Sequence, residues 1–149
     1  MKPFVLSLLP SIDVELLKRV RLVVEALPDN LDLGKDSDGK PIVLSCHILA
    51  HALGKVFGRD VEDGYFYYPR YYEHSWIKTL SGHIIDVYPV GILGGPLLVE
   101  GTMNSMSPGK RLYWPDVLVW HGVVMKPHIQ QAIMIAANAA LEVARAVGI

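Results

Sequence analysis

Apolar positions near the start of the chain recur with the spacing of an α-helix. Between Ser11 and Leu27 they fall three or four residues apart, and Asp13 lies in what would be the first turn. Apolar side chains at this spacing share one helical face, so the pattern predicts an amphipathic helix over residues 11–27. The following stretch, Asp29 to Lys40, is polar and rich in aspartate and glycine, which predicts a loop.

Two further segments carry a helical pattern with clear ends. The first runs from Cys46 to Phe57, with Ser45 as a candidate N-cap and Gly58 just past the end. The second runs from Pro127 to about Val147. Proline suits the first turn of a helix, where its missing N–H is not needed. Both segments are therefore predicted to be helices.

The middle of the chain is rich in aromatic and β-branched residues, which favour strands. No repeat or linker divides the sequence, so we expect one domain over residues 1–149. The order of elements predicts an α+β fold, with N-terminal helices packed on an antiparallel β-sheet and a C-terminal helix. Gly101 to Pro115 is loop-like, and the predicted strands are Tyr65–Tyr68, Tyr71–Leu80, His83–Ile92, Leu97–Glu100 and Val117–Val124.

Composition and charge exclude several classes of protein. The 149 residues are 51% apolar and carry a formal net charge of −1, with no basic patch. We therefore expect no nucleic-acid partner and no attraction to an anionic membrane. No apolar run approaches the length of about 18 residues that a membrane span requires. The opening segment faintly resembles a secretion signal, but Pro3 and Pro10 interrupt it, so we expect a cytoplasmic protein.

The chain has a single cysteine, Cys46, so no intramolecular disulfide is possible. A free cysteine is commonly a small buried apolar residue. Cys46, however, opens a predicted helix, where the first amides lack internal partners and carry partial positive charge. Both effects stabilise a thiolate, and the same amides can receive an oxyanion. Cys46 is thus a candidate nucleophile that still requires a base.

His74 and Asp86 lie on two strands of a predicted hairpin, and the loop length decides whether they meet. A two-residue loop, Ser81-Gly82, would place Asp86 on the face opposite to His74. A three-residue loop, 80–82, would pair Thr79 with His83 and make His74 and Asp86 diagonal neighbours, with about 7 Å or less between their Cβ atoms. Glycine suits the last position of the three-residue loop. A Cys-His-Asp site therefore requires the odd-length loop.

These residues resemble the transglutaminase-like superfamily, a papain-related group of cysteine enzymes. The resemblance rests on a cysteine at a helix start, then His74-Ser75-Trp76, then Ile85-Asp86 followed by Pro89. It covers residues 42–90, about a third of the chain. The usual family signature is close to His-Ala-Trp and then Asp-Pro-Thr, so the proline here is displaced by two positions.

The resemblance implies a function and a role for each residue. Cys46 would be the nucleophile, His74 its general base and acid, and Asp86 the residue that orients His74. The substrate would be a peptide or protein carrying an amide group, and the reaction hydrolysis, deamidation or acyl transfer without a cofactor. Trp76, Tyr65 and His47 are candidates for supporting or substrate-binding roles. Arylamine acetyltransferases share the triad order, but the glycine-rich surroundings typical of their cysteine are missing here.

Other functions remain open from the sequence. His47 and His51 lie four residues apart on one predicted helix and could share a metal, although two ligands are too few. The alternative expectation is that they line a cleft or pack against tyrosines. We expect no metal site. His83 is the second candidate for the base and is expected to be solvated beside the turn. A binding module that keeps the fold without the reaction is the remaining class.

Overall fold

The computed structural model describes residues 10–67, 70–87, 96–99, 112–116, 118 and 120–149. Helices and strands follow the α+β order that the sequence predicts. None of the helices in this part of the chain is long and apolar enough to cross a membrane. The helices are α1 (Ser11–Ala26), α2 (Cys46–Phe57), α3 (His121–Val124) and α4 (Pro127–Ala146), and the strands are β1 (Val61–Tyr67), β2 (Tyr71–Lys78), β3 (Ile84–Asp86), β4 (Leu97–Val99) and β5 (Tyr113–Pro115).

The five strands form one antiparallel sheet in the order β4-β3-β2-β1-β5. Side chains on one face pack against the helices, and this face includes Ile77 and Ile85. The core on this side also takes in residues of α1, α2 and α4. The other face carries a separate cluster in which Phe66, Trp76 and Tyr113 pack together. The sheet thus separates an aliphatic core from an aromatic one.

Local sequence signals set both ends of α2. The Ser45 hydroxyl accepts a hydrogen bond from the amide of Ile48 at 3.3 Å, which satisfies one of the free donors at the helix start. At the other end Gly58 is in the left-handed conformation (φ 63°), where a side chain would be strained. The predicted bounds of α2, its N-cap and its C-cap are confirmed. Pro127 also begins α4 as predicted.

The hairpin between β2 and β3 has the three-residue loop 80–82. Ile77 pairs with Ile85 and Lys78 with Ile84, and the amide of Thr79 donates to the carbonyl of His83 at 2.9 Å. Gly82 closes the loop with φ 83°, a backbone conformation that favours glycine. The odd-length loop that a Cys-His-Asp site requires is therefore present.

Two predictions for the second half of the chain are wrong. Within the predicted strand Val117–Val124, the described residues include α3, which begins after Trp120. Val117 and Val119 lie outside the described residues. Within the predicted loop Gly101–Pro115, residues 113–115 form β5 on the edge of β1. Proline is tolerated on an edge strand because its missing donor faces away from the ladder, so Pro115 does not prevent pairing.

Several strand ends also differ from prediction. β1 begins at Val61 rather than Tyr65, because its polar start, Glu62-Asp63-Gly64, pairs fully with β2. β2 ends at Lys78, since Leu80 belongs to the turn. β3 ends at Asp86, and the remainder of the predicted strand His83–Ile92 lies outside the described residues beyond Val87. His83 was expected to be solvated but is 5% exposed, so that prediction is wrong.

Gly64 occupies the tightest position in the sheet. A Cβ atom there would lie 2.1 Å from the carbonyl oxygen of Trp114 and 2.8 Å from the Cα of Pro115. We expect Gly64→Ala to push β5 away from β1 and to lower the free energy of unfolding by about 2 kcal/mol. Urea unfolding measures this change. Gly122→Ala is the control, because a Cβ there meets open space; equal unfolding midpoints for the two variants would contradict the expectation.

Candidate active site

Cys46 is the first residue of α2, and its side chain is half-buried. Its Sγ lies 4.0 Å from the carbonyl oxygen of Glu73 in β2. Ser45 caps the amide of Ile48, while the amides of Cys46 and His47 precede the first donor that the helix itself uses. The thiol therefore lies beside two backbone donors at the positive end of a helix.

The sulfur approaches β2 from the side of β3. The amide of Lys78 bonds to Asp60, next to β1, whereas the amide of Thr79 bonds to His83 in the hairpin. Backbone groups alternate in direction along an antiparallel strand, so the carbonyl of Glu73 is directed to the β3 side. The pairing of β2 with β3 covers only Ile77 and Lys78 among the described residues. Cys46 thus lies along β2 beyond this short ladder.

His74 and Asp86 form a buried pair. Both side chains are 0% exposed, and Nε2 of His74 lies 2.9 Å from each carboxylate oxygen of Asp86. Since a carboxylate only accepts, Nε2 carries the proton and Nδ1 is left for a second partner. The hydroxyl of Tyr113 donates to the same carboxylate at 2.6 Å. The carboxylate thus orients the imidazole and is itself held by Tyr113.

The surroundings of His74 favour its charged form. Burial lowers the pKa of His74, but the hydrogen bonds and charge of Asp86, together with the Cys46 thiol, outweigh burial and raise the pKa to about 9. The Nδ1 atom is buried and forms no well-aligned hydrogen bond to any described residue. The Cys46 thiol is thus close enough to help raise the pKa of His74, but it is not aligned for a hydrogen bond to Nδ1. Catalytic hydrogen bonds are often loose before substrate binds.

A second polar network fixes the start of α2 to the sheet. His47, next to Cys46, lies with Nδ1 2.6 Å from the hydroxyl of Ser75, the residue next to His74. Ser75 donates to Asp63, which also accepts from His51 at 2.9 Å. Burial lowers the pKa of His47 to about 4, with His74 and His51 adding to the shift and Asp63 opposing it. His47 is therefore neutral at pH 7 and serves as a hydrogen-bonding link.

The predicted supporting residues are placed in three different settings. Trp76 is fully buried, with its ring centroid 6.2 Å from that of His74, and its indole N–H donates to Glu62. Tyr65 is half-buried on the face of the sheet that bears the helices. His47 was expected to line a cleft or to pack against tyrosines; its ring instead stacks on Trp120 at 4.2 Å.

The metal alternative gains no support from the described residues. His47 and His51 share a face of α2 as predicted, but their ring nitrogens bond to Ser75 and Asp63. No group of three or more histidine, cysteine, aspartate or glutamate side chains in the described part of the chain has the arrangement of a metal site.

Sequence reasoning missed Tyr113, Ser75 and Asp63. Tyr113 lies in a stretch that reads as a loop, and only the aromatic pair Tyr113-Trp114 hinted at a strand there. Ser75 and Asp63 could have been found from register, because they pair directly across β1 and β2 on the face that meets α2. Their position opposite His47 and His51 depends on how the helix packs, which the sequence pattern does not specify.

Comparison with known proteins identifies no relative. No protein-family model, no curated protein and no solved structure matches the chain. The transglutaminase-like resemblance therefore rests on the order and setting of Cys46, His74 and Asp86.

Proposed function

We propose that this protein is a cysteine-nucleophile enzyme of transglutaminase-like build that cleaves or transfers the acyl group of an amide. The observation that supports this most is the His74–Asp86 pair, which is buried, bidentate and adjacent to the only thiol in the chain. A buried ion pair beside a half-buried thiol, with one ring nitrogen unused, is more typical of an active site than of a core. A chain with a single reactive thiol suits a reducing compartment, and we propose the cytoplasm.

The chemistry follows from the positions of the three side chains. With its pKa raised to about 9, His74 is an imidazolium at neutral pH, and a neighbouring cation favours the thiolate form of Cys46. The thiolate attacks the amide carbonyl carbon, and the oxygen that gains charge is received by the amides at the start of α2. His74 then gives its proton to the leaving amine, the C–N bond breaks, and a thioester to Cys46 remains.

The second half of the reaction regenerates the thiolate. His74, now neutral, takes a proton from water or from an acceptor amine, which attacks the thioester carbonyl. The C–S bond breaks, releasing a carboxylic acid when water attacks or a new amide when an amine attacks. Asp86 holds the imidazole in the tautomer that leaves Nδ1 toward the sulfur.

Alkylation of Cys46 by iodoacetamide tests the proposal without a known substrate. We expect the folded protein to react at pH 6 about a hundredfold faster than the same chain unfolded in urea, because only the folded chain brings the imidazolium to the thiol. Mass spectrometry of the carbamidomethylated protein gives both rates. Glutathione with and without urea corrects for the effect of the solvent on the reagent.

The contrary result separates the alternatives. If folded Cys46 reacts more slowly than the unfolded chain across pH 6–8, then the thiol is a packed residue and the enzyme proposal fails. The remaining candidate would be a binding module on the same fold, for which the aromatic surface around Tyr65 is the specific observation.

A further inference from the structure

An open cavity lies on the helix-bearing face of the sheet, past the N-terminus of α2. Its volume is about 480 Å³, and it is lined by the aromatic residues Tyr65, Tyr71 and Trp114 together with Pro115 and Asp116. Tyr71 is 59% and Trp114 53% exposed, so this face of the sheet presents two adjacent large aromatic side chains to solvent. The Cys-His-Asp chemistry uses none of these residues, so the cavity requires a separate explanation.

The three rings form the walls of a box. Tyr71 stands nearly perpendicular to Tyr65, at 78° and 6.0 Å between centroids, and nearly perpendicular to Trp114, at 80° and 6.5 Å. Tyr65 and Trp114 are directly paired across β1 and β5. Each aromatic face carries partial negative charge, so rings arranged around one space attract a cation placed between them.

Two acidic side chains lie at or beside the box. Asp116 lines the cavity, and Glu73, which is exposed, pairs directly with Tyr65 on the same face of the sheet. None of the described residues that line the cavity is cationic. An apolar occupant would gain only the contact with the rings, whereas an ammonium or guanidinium group interacts favourably with the rings and with the Asp116 carboxylate together.

The box is also within reach of the proposed nucleophile. The sulfur of Cys46 lies 4.0 Å from the carbonyl of Glu73, and the Cα of Glu73 faces that of Tyr65 at about 5 Å, the usual spacing of paired residues. Strands are about 5 Å apart, so β5 lies about 10 Å from β2, and the sulfur lies a further 4.0 Å or so from the β2 backbone on its β3 side. The path of about 15 Å corresponds to about four or five residues of an extended peptide.

We propose that the box formed by Tyr65, Tyr71 and Trp114 with Asp116 binds a lysine or arginine side chain of the peptide substrate, a few residues from the amide that Cys46 attacks. The placement of the substrate amide at Cys46 rests on the proposed function. The preference of the box for a cationic side chain rests on the box alone. It gives the enzyme a substrate class: amide groups in basic peptides.

Binding of matched peptides to the Cys46→Ala protein tests the proposal without turnover. The probes are acetyl-Gly-X-Gly-Gly amides in which X is lysine or norleucine, which has a similar length but no charge. The readout is the indole N–H signal of Trp114 in NMR titrations, assigned with Trp114→Phe. We expect the lysine peptide to bind with a Kd about fivefold lower than the norleucine peptide, and the difference to shrink in high salt.

Substitutions in the box supply the controls. Tyr71→Leu should raise the Kd of the lysine peptide about fivefold, whereas Tyr71→Phe, which keeps the ring, should not. Asp116→Asn should reduce the preference for lysine over norleucine. Leu80→Ala, an exposed apolar change on the hairpin loop, should leave both peptides unaffected.

Two outcomes would overturn the inference. One is equal or tighter binding of norleucine, which would identify an apolar subsite. The other is no movement of the Trp114 signal with either peptide at about 10 mM, which is ten times a weak Kd of about 1 mM. Lysine-selective binding in a protein whose thiol proves unreactive would support the box and refute the enzyme, so the two proposals fail separately.

Discussion

His74→Gln should lower the rate at which iodoacetamide alkylates Cys46 at pH 6 by about a hundredfold, because an ordinary thiol is less than about 1% thiolate at that pH. Glutamine has no ionisable ring, so the thiol loses the cation that favours its thiolate. The measurement is the second-order alkylation rate as a function of pH. In the wild-type protein the rate should depend little on pH through neutrality, whereas in the variant it should rise with pH as for a simple thiol.

Two further variants show whether the fall in alkylation rate is specific to the Cys46–His74–Asp86 site. Asp86→Asn keeps the size and an acceptor for Nε2–H but removes the charge that raises the pKa of His74 against burial. It should therefore give an intermediate loss of about tenfold. His128→Gln makes the same chemical change as the first variant at the start of α4 and should leave the rate unchanged. Equal rates in the wild type and His74→Gln would refute the triad.

The pH dependence of stability should show a maximum near pH 6.5, with a loss on either side. The folded pKa of His74 is about 9, above its usual value of 6.5, so its contribution is complete below pH 6.5 and is lost as pH rises through 9. The folded pKa of His47 is about 4, so its contribution is complete above pH 6.5 and is lost as pH falls through 4. Each shift corresponds to about 3 kcal/mol.

Urea unfolding between pH 4 and pH 9.5 measures both limbs. His74→Gln should flatten the alkaline limb and leave the acid limb in place, because glutamine does not titrate. His47→Gln should do the reverse, since the amide can still bond to Ser75 without titrating. If the stability of His74→Gln still falls as pH rises toward 9.5, then another group causes that loss. The Asp86 carboxylate would then not be what holds His74 charged.

Local signals were sufficient for the parts of the fold that depend on neighbouring residues. Ser45 and Gly58 fixed the ends of α2 because capping involves residues within one turn of each other. The loop length at Gly82 followed from the backbone angles that glycine permits. That loop also decided which face Asp86 occupies, so the juxtaposition of His74 and Asp86 was predictable from the sequence.

Features that depend on distant contacts were not predictable in the same way. Tyr113 reaches Asp86 because β5 pairs with β1, some fifty residues earlier in the chain, and a three-residue strand containing proline has no clear pattern. The run that ends in Val123-Val124 favours a strand by composition, but tertiary context makes it helical next to Trp120, which stacks on His47. His83 is buried although it adjoins a turn, because it lies against Thr79 across the hairpin.

The bond between His47 and Ser75 has a consequence for motion at the nucleophile. Helix ends ordinarily fray, and a cysteine in the first turn would spend part of its time away from its base. Here the residue after Cys46 is tied to the residue after His74, so the helix end and the strand fluctuate as one body. The thiol and the imidazole are thus held near each other once the chain folds, and only the final alignment is left to substrate binding.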